Sequence, residues 1–185
     1  LIVVEDQNNP FFSFITSLVF NWGGTSDKVQ TIITTLKSRS HNEIVVDKLQ
    51  YYIKYLKKGE YYFQDAYGEV PFYVEIDKTK GQLFGQLIKI KFLSPSQYEL
   101  SVDFGQATSA SVIQYADLAV KPVNVSGGEY KKVFKINEAV DLPFLHLKLL
   151  IKPEAYEYTN QEYFVSFDDF NGTVASYRGI DVSED

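Results

Sequence analysis

The chain has 185 residues, enough to bury a sizeable core in one or two domains, and its 45% hydrophobic and 23% charged residues are an ordinary globular balance. A net charge of −6 provides no basic field for a phosphate backbone, which argues against nucleic acid as a partner, and the absence of cysteine excludes disulfides and thiolate chemistry. Aromatics reach 16%, with 14 Tyr, 14 Phe and a single Trp. That share suits half-buried strands whose edges meet water or a partner, and equally a β-rich core packed with rings.

Residues 1–4, Leu-Ile-Val-Val, read as a buried strand ended by the polar turn 5–10. The chain opens on them with no Met and no leader, so the expectation is a piece of a longer protein. The longest apolar stretch, 11–20, is too short to span a bilayer and carries Ser13, Thr16 and Ser17. Phe11, Phe14, Ile15 and Leu18 at helical spacing behind Pro10 predict a short helix there. Trp22-Gly23-Gly24 is a break. Ser26 or Asp27 is placed to cap the next helix, whose apolar face is Val29, Ile32, Ile33 and Leu36. Polar residues Ser38-Arg39-Ser40 interrupt it, and a second helix from about His41 to Leu49 carries Ile44, Val45 and Leu49.

From Tyr51 onward the apolar period is closer to two, and turn residues recur at short intervals. The pattern predicts strands at 51–56, 61–64, 72–76, 87–93, 98–104, 112–120, 131–136, 145–151 and 163–167, with turns at Gly59, Gly68, Gly81, Gly105 and Gly127-Gly128. Many short strands at this spacing point to an antiparallel sandwich, jelly-roll or barrel. Near the end the period returns to helical. Asp168 or Asp169 caps a short helix bearing Phe170, Val174 and Tyr177, with a costly Gly172 inside it and Gly179 closing it. Residues 180–182 then form a strand able to pair with 1–4. The fold expected is α+β: a small α/β base, strand-helix-helix plus a closing helix and strand, from residues 1–58 and 168–185, with an inserted antiparallel β-sandwich or jelly-roll over 59–167.

Chemistry is sparse. His41 and His146 are the only imidazoles, one at a helix start and one alternating with leucines on a strand; without Cys or a His pair, a zinc site is not expected. No nucleophile elbow, phosphate loop or dinucleotide fingerprint occurs. Asp168-Asp169 reads as a helix cap before it reads as a catalytic pair, and a calcium site from Asp168, Asp169 and Asn171 lacks the ligand spacing of a recognised loop. No catalytic residue, cofactor site or metal site is assigned, and an enzyme is not expected.

Four segments in order carry a resemblance: residues 1–9; 29–49 with Leu36-Lys37-Ser38-Arg39-Ser40 followed by Ile44-Val45-Val46-Asp47-Lys48-Leu49; Tyr67-Gly68-Glu69-Val70-Pro71-Phe72; and Val174-Ala175-Ser176-Tyr177-Arg178 followed by 180–183. Together they resemble the chain-length determinant (Wzz) family of polysaccharide co-polymerases, in particular its longer exopolysaccharide-transport and tyrosine-autokinase members. The resemblance implies an inner-membrane protein of a Gram-negative bacterium with this portion in the periplasm, where it assembles into rings and sets the chain length, or aids the export, of a capsule, exopolysaccharide or O-antigen. Expected partners are other copies of the chain, a polysaccharide polymerase or outer-membrane export protein, and the polysaccharide itself. The long helical arm and any cytoplasmic kinase domain of the family are not in this sequence.

Ring contacts would join one face to a different face of the neighbour. Lys37, Arg39 and Lys48 on the helical pair are candidates to meet acidic residues there, or are simply solvated. Arg39 and Arg178 are alternatively placed to pair internally with carboxylates of the base. A competing expectation is a secreted carbohydrate-binding or adhesive sandwich, in which Tyr61, Tyr62, Tyr73, Tyr156 and Tyr158 form a concave aromatic patch for sugar rings.

Overall fold

A computed structural model describes residues 24–155 and 157–178. The expected strands at 1–4 and 180–182, the helix at 11–20, and Trp22, Gly23, Tyr156 and Gly179 lie outside the described residues. In chain order the elements are α1 (Gly24–Leu36), α2 (Arg39–Leu49), β1 (Ile53–Lys58), β2 (Phe63–Asp65), β3 (Phe72–Ile76), β4 (Gln82–Leu83), β5 (Ile88–Ser94) and β6 (Gln97–Asp103). They continue with β7 (Ser109–Gln114), β8 (Ala119–Asn124), β9 (Glu129–Lys135), β10 (Ala139–Leu142), β11 (Leu145–Ile151), β12 (Glu162–Phe167) and α3 (Phe170–Arg178). The protein is therefore mixed α+β with a sheet-rich body. Its described residues divide into two compact units, 24–48 with 174–178, and 49–173.

In the first unit, α1 begins at Gly24, so Asp27 falls in its first turn, where a carboxylate suits the positive end of the helix dipole. Its threonines are satisfied locally: the hydroxyls of Thr31, Thr34 and Thr35 donate to the carbonyls of Asp27, Gln30 and Thr31 at 2.8, 2.8 and 2.9 Å. The helix then stops for a physical reason. Ser38 leaves the helical path and its Oγ accepts from the His41 N–H, so α2 starts at Arg39, two residues earlier than the periodicity predicts. Buried Asn42 reaches back and donates Nδ2 to the carbonyls of Leu36 (3.0 Å) and Ser38 (3.1 Å). The Leu36 carbonyl belongs to the last turn of α1, which has no helical N–H left to give it, and the Ser38 carbonyl, at the cap of α2, also accepts the Asn42 main-chain N–H at 3.1 Å.

The second unit is built from three antiparallel sheets, ordered β2-β1-β12-β5-β6-β9, β10-β11-β3 and β4-β7-β8. Strand β1, which the sequence groups with the helical base, sits inside the six-stranded sheet. Ile53 lies opposite Phe167 and Leu56 opposite Phe164, so the strand that enters the body and the strand that leaves it are neighbours. Alternation drives the layering: Ile53 and Tyr55 point inward from β1, Ile88, Ile90 and Phe92 from β5, and Phe72 and Val74 from β3. Phe72 is the ring joint between two sheets, meeting Phe92 edge-on at 5.6 Å and Tyr55 at 5.7 Å between centroids. Each such buried ring removes roughly 150–250 Å² from water, which is where the high aromatic content goes.

One expected strand divides in two, and two short strands, β4 and β10, were not expected. The single strand predicted over 112–120 is a hairpin: β7 and β8 are joined by a turn at 115–118, where Asp117 Oδ1 accepts from the Ala119 N–H and Leu118 takes a positive φ of 58°. No Gly marks that turn, so the pattern ran through it. Strand β8 also contains Pro122, tolerated because β8 is the edge of its sheet. Strand β10 alternates Val140 and Leu142 against Ala139 and Asp141, but at four residues it is too short for that pattern to stand out. At the carboxyl end Asp169 is the cap. Its Oδ2 accepts from the Gly172 N–H, so Gly172 occupies the first turn of α3 rather than its interior, where glycine costs more.

Candidate functional site

The candidate contact charges divide among different local environments. Arg39 Nε lies 2.6 Å from Glu43 Oε1, one helical turn away on α2, so its recorded partner is intrahelical. Lys37 is half-buried between the helices' ends and Lys48 is exposed in the last turn of α2, where a cation suits the negative end of the dipole. Arg178 is the final residue of α3, and its side chain lies outside the described residues. Among the described residues, no cluster of three or more metal-ligating side chains forms, and no helix is long and apolar enough to cross a membrane.

The Asp168-Asp169 pair does two structural tasks. Asp168 forms an ion pair with Lys54 on β1, and its carbonyl accepts from the buried Tyr115 hydroxyl at 2.7 Å. Asp169 caps α3.

A concave site does occur elsewhere in the body. An open groove of about 430 Å³ runs over the end of β3, the hairpin β10–β11 and the turn 77–81. Its outward residues are set by register. Glu75 faces Lys148, which in turn faces Ala139, and in the next row His146 faces Asp141. Beyond the groove, in the row on its other side, Tyr73 faces Leu150. The inward residues Val74, Leu147, Leu149 and Val140 are buried, which fixes the outward set by alternation.

The His146 end is the most ordered. Its Nδ1 is 2.9 Å from the Gly81 carbonyl, which only accepts, so the hydrogen is assigned to Nδ1; Nε2 is 3.1 Å from Asp141 Oδ1 and donates there when the ring is protonated. Lys80 Nζ approaches the same Asp141 oxygen at 3.4 Å. Beneath them Gln82 is fully buried, and its amide grips the main chain of His146: Nε2 donates to the carbonyl at 2.7 Å and Oε1 accepts the N–H at 3.2 Å. The amide thereby continues the edge of β11 beyond the last residue of β3. Because the His146 main chain faces Gln82, the Asp141–His146 pair is of the kind that brings cross-strand side chains close. Gly81 permits the approach, since a Cβ there would lie 2.8 Å from Val112 Cγ2. Asp77 opens the turn. Its carboxylate accepts from the Thr79 hydroxyl (2.6 Å) and N–H (2.9 Å), and these bonds hold its carboxyl below the usual range.

The four described tyrosines of the expected patch stand on different elements. Tyr61 and Tyr62 stand at the tip of the β1–β2 hairpin, 87% and 70% exposed. Tyr158 packs on Phe92 at 4.9 Å, with its hydroxyl on the Pro95 carbonyl, and Tyr156 lies outside the described residues. Tyr73 is the one placed beside the groove. Sequence reasoning placed His146 on a strand face but found neither Asp141 nor Gln82. The segment Asp141-Leu142-Pro143-Phe144-Leu145-His146 held a signal, two polar residues flanking a Pro-containing turn, which would have paired them had β10 been recognised.

No protein-family model matches the chain, and no curated protein matches it.

Proposed function

We propose that this chain is the periplasmic scaffold portion of an inner-membrane protein that regulates the chain length, or the export, of a surface polysaccharide in a Gram-negative bacterium. The sequence resemblance in four ordered segments motivates the reading. One observation carries it beyond the sequence. Strands β1 and β12 are neighbours with Ile53 opposite Phe167, so the body 49–173 begins and ends at one place and is suited to be an insertion in a helical unit contributed by both ends of the chain. The resemblance implies an inserted β domain, and neighbouring entry and exit strands support that reading. A scaffold needs faces rather than an active site, and Val29, Ile32 and Ile44 are each more than two-fifths exposed on the helices that carry the Leu36–Leu49 segment. The ring itself, its partners and the periplasmic location belong to this proposal.

The test is genetic and physical together. Deleting the gene is expected to change the length distribution of a surface polysaccharide, or its amount at the surface, read by gel electrophoresis of the extracted polymer. An unchanged profile in both length and amount rejects the scaffold role.

A further inference from the structure

We propose that the outer face of the sheet β10-β11-β3 is a binding site for a neutral saccharide. A groove of about 430 Å³ falls within the size of small-ligand sites, and it sets charged side chains, Glu75, Asp77, Lys80, Asp141 and Lys148, around an apolar floor of Ile76, Val140 and Leu147, a mixed surface suited to a ligand with both polar and apolar faces. Its charges exclude the other simple ligands. Glu75, Asp77 and Asp141 would repel an anion, while Lys80 and Lys148 would repel a cation. The opposite charges are also matched in place: Glu75 is registered against Lys148, and Lys80 and His146 both approach Asp141. What remains is a surface of alternating donors and acceptors with little net field. Sugar hydroxyls suit it, because each one donates and accepts at once and two neighbouring hydroxyls can share one carboxylate.

An apolar platform completes the site. Tyr73 is 47% exposed and lies on the same side of β3 as Glu75, one row along, with half-buried Leu150 opposite it. An exposed ring beside carboxylates is the pairing that takes the C–H face and the hydroxyl edge of one pyranose. The polar end is fixed before any ligand arrives, since buried Gln82 clamps the His146 main chain and the Gly81 carbonyl orients its ring. Little side-chain freedom is left to lose on binding at that end. The residues come from three strands and one turn of the 49–173 unit alone. The inference deepens the polysaccharide reading by giving the body a contact with the polymer, and rests on that reading only for the biological source of the sugar.

The experiment is an array of neutral oligosaccharides probed with the 185-residue chain, followed by titration of the strongest binder. At least one oligosaccharide is expected to bind, with affinity falling about tenfold or more in Tyr73→Ala and in Asp141→Ala and unchanged in Tyr61→Ala. Binding to none, or binding that Tyr73→Ala leaves intact, overturns the proposal. Where a variant does not fold, amide shifts of the unaltered protein decide instead. Perturbations at Tyr73, Glu75, His146 and Lys148 support the site, and perturbations confined to the Tyr61–Tyr62 tip overturn it. The two readings fail separately: glycan binding with an unchanged polymer profile in the deletion strain rejects the scaffold alone, and the converse rejects this site alone.

Discussion

Ile53 and Phe167 lie directly opposite each other on β1 and β12, and both are completely buried. This one pair closes the body at the point where the chain enters and leaves it. Asp168, the next residue, donates its N–H to the Tyr52 carbonyl at 2.8 Å and so continues the closure by one more step.

Phe167→Ala should therefore cost more than an average core truncation. The ring has no exposed surface, and its loss opens a cavity between the entry and exit strands that backbone pairing on both sides keeps from collapsing. A loss of about 3–5 kcal/mol in urea-unfolding stability is expected. A loss under about 1 kcal/mol would mean that the two strands do not close the body.

Tyr55 makes the alkaline side of the stability curve informative. Its hydroxyl accepts the Val74 N–H of β3 at 2.9 Å, and burial pushes its pKa up to about 12. The unfolded chain ionises this phenol near pH 10. A group whose folded pKa is raised contributes stability that is fully present below the unfolded value and is lost as pH climbs through the folded one. Stability should then fall between about pH 10 and 12 by about 2–3 kcal/mol from this residue. Tyr55→Phe should remove that part of the alkaline slope and, by orphaning the buried Val74 N–H, cost about 1–3 kcal/mol at neutral pH. Urea melts at pH 7 and pH 11 on both proteins separate the two effects.

Much of the framework was legible because it depends on local periodicity. Strands β3 and β11 have the predicted bounds, 72–76 and 145–151, since strict alternation such as Leu145, Leu147 and Leu149 against His146 and Lys148 leaves one burial solution. The helix pair was legible for the same reason, except for its joint, where the side chains of Ser38 and Asn42 override periodicity. The hairpin β7–β8 was missed because an Asp117 side-chain bond makes its turn without glycine. Of the groove, only the Asp141–His146 segment carried a local signal. Gln82 and His146 are 64 residues apart and meet only through the sheets, and no local pattern marks a glutamine that substitutes for a strand.

The joint between the helices offers a prediction of its own. Buried Asn42 holds the last carbonyl of α1, that of Leu36, and the carbonyl of Ser38 at the cap of α2. Asn42→Ala should destabilise the helical pair by about 1–3 kcal/mol, visible as lost helical ellipticity below the main unfolding transition. Asn42→Asp should be worse at neutral pH, because it sets a carboxylate against the same carbonyl oxygens. Equal stability for Asn42→Asp and the unaltered chain would remove Asn42 from this role.

Gln82 is the sharpest test of the groove. Its amide is the recorded partner of both the N–H and the carbonyl of His146, and it is itself without exposed surface. Gln82→Ala leaves two main-chain groups of β11 facing a small cavity, a cost of about 2–4 kcal/mol if each lost partner counts for about 1–2. The amide hydrogen of His146 should then exchange with solvent far faster, while that of Lys148, at the centre of the same strand and registered against Glu75 of β3, keeps its protection. Gln82→Glu sharpens the reading. One carboxylate oxygen still accepts the His146 N–H, but the other meets the His146 carbonyl with no hydrogen to give, so this near-isosteric change should lose most of the stability that alanine loses. If Gln82→Glu were neutral and His146 exchange unchanged in both variants, the clamp would carry no weight, and the histidine end of the groove would have to be held by Gly81 and Asp141 alone.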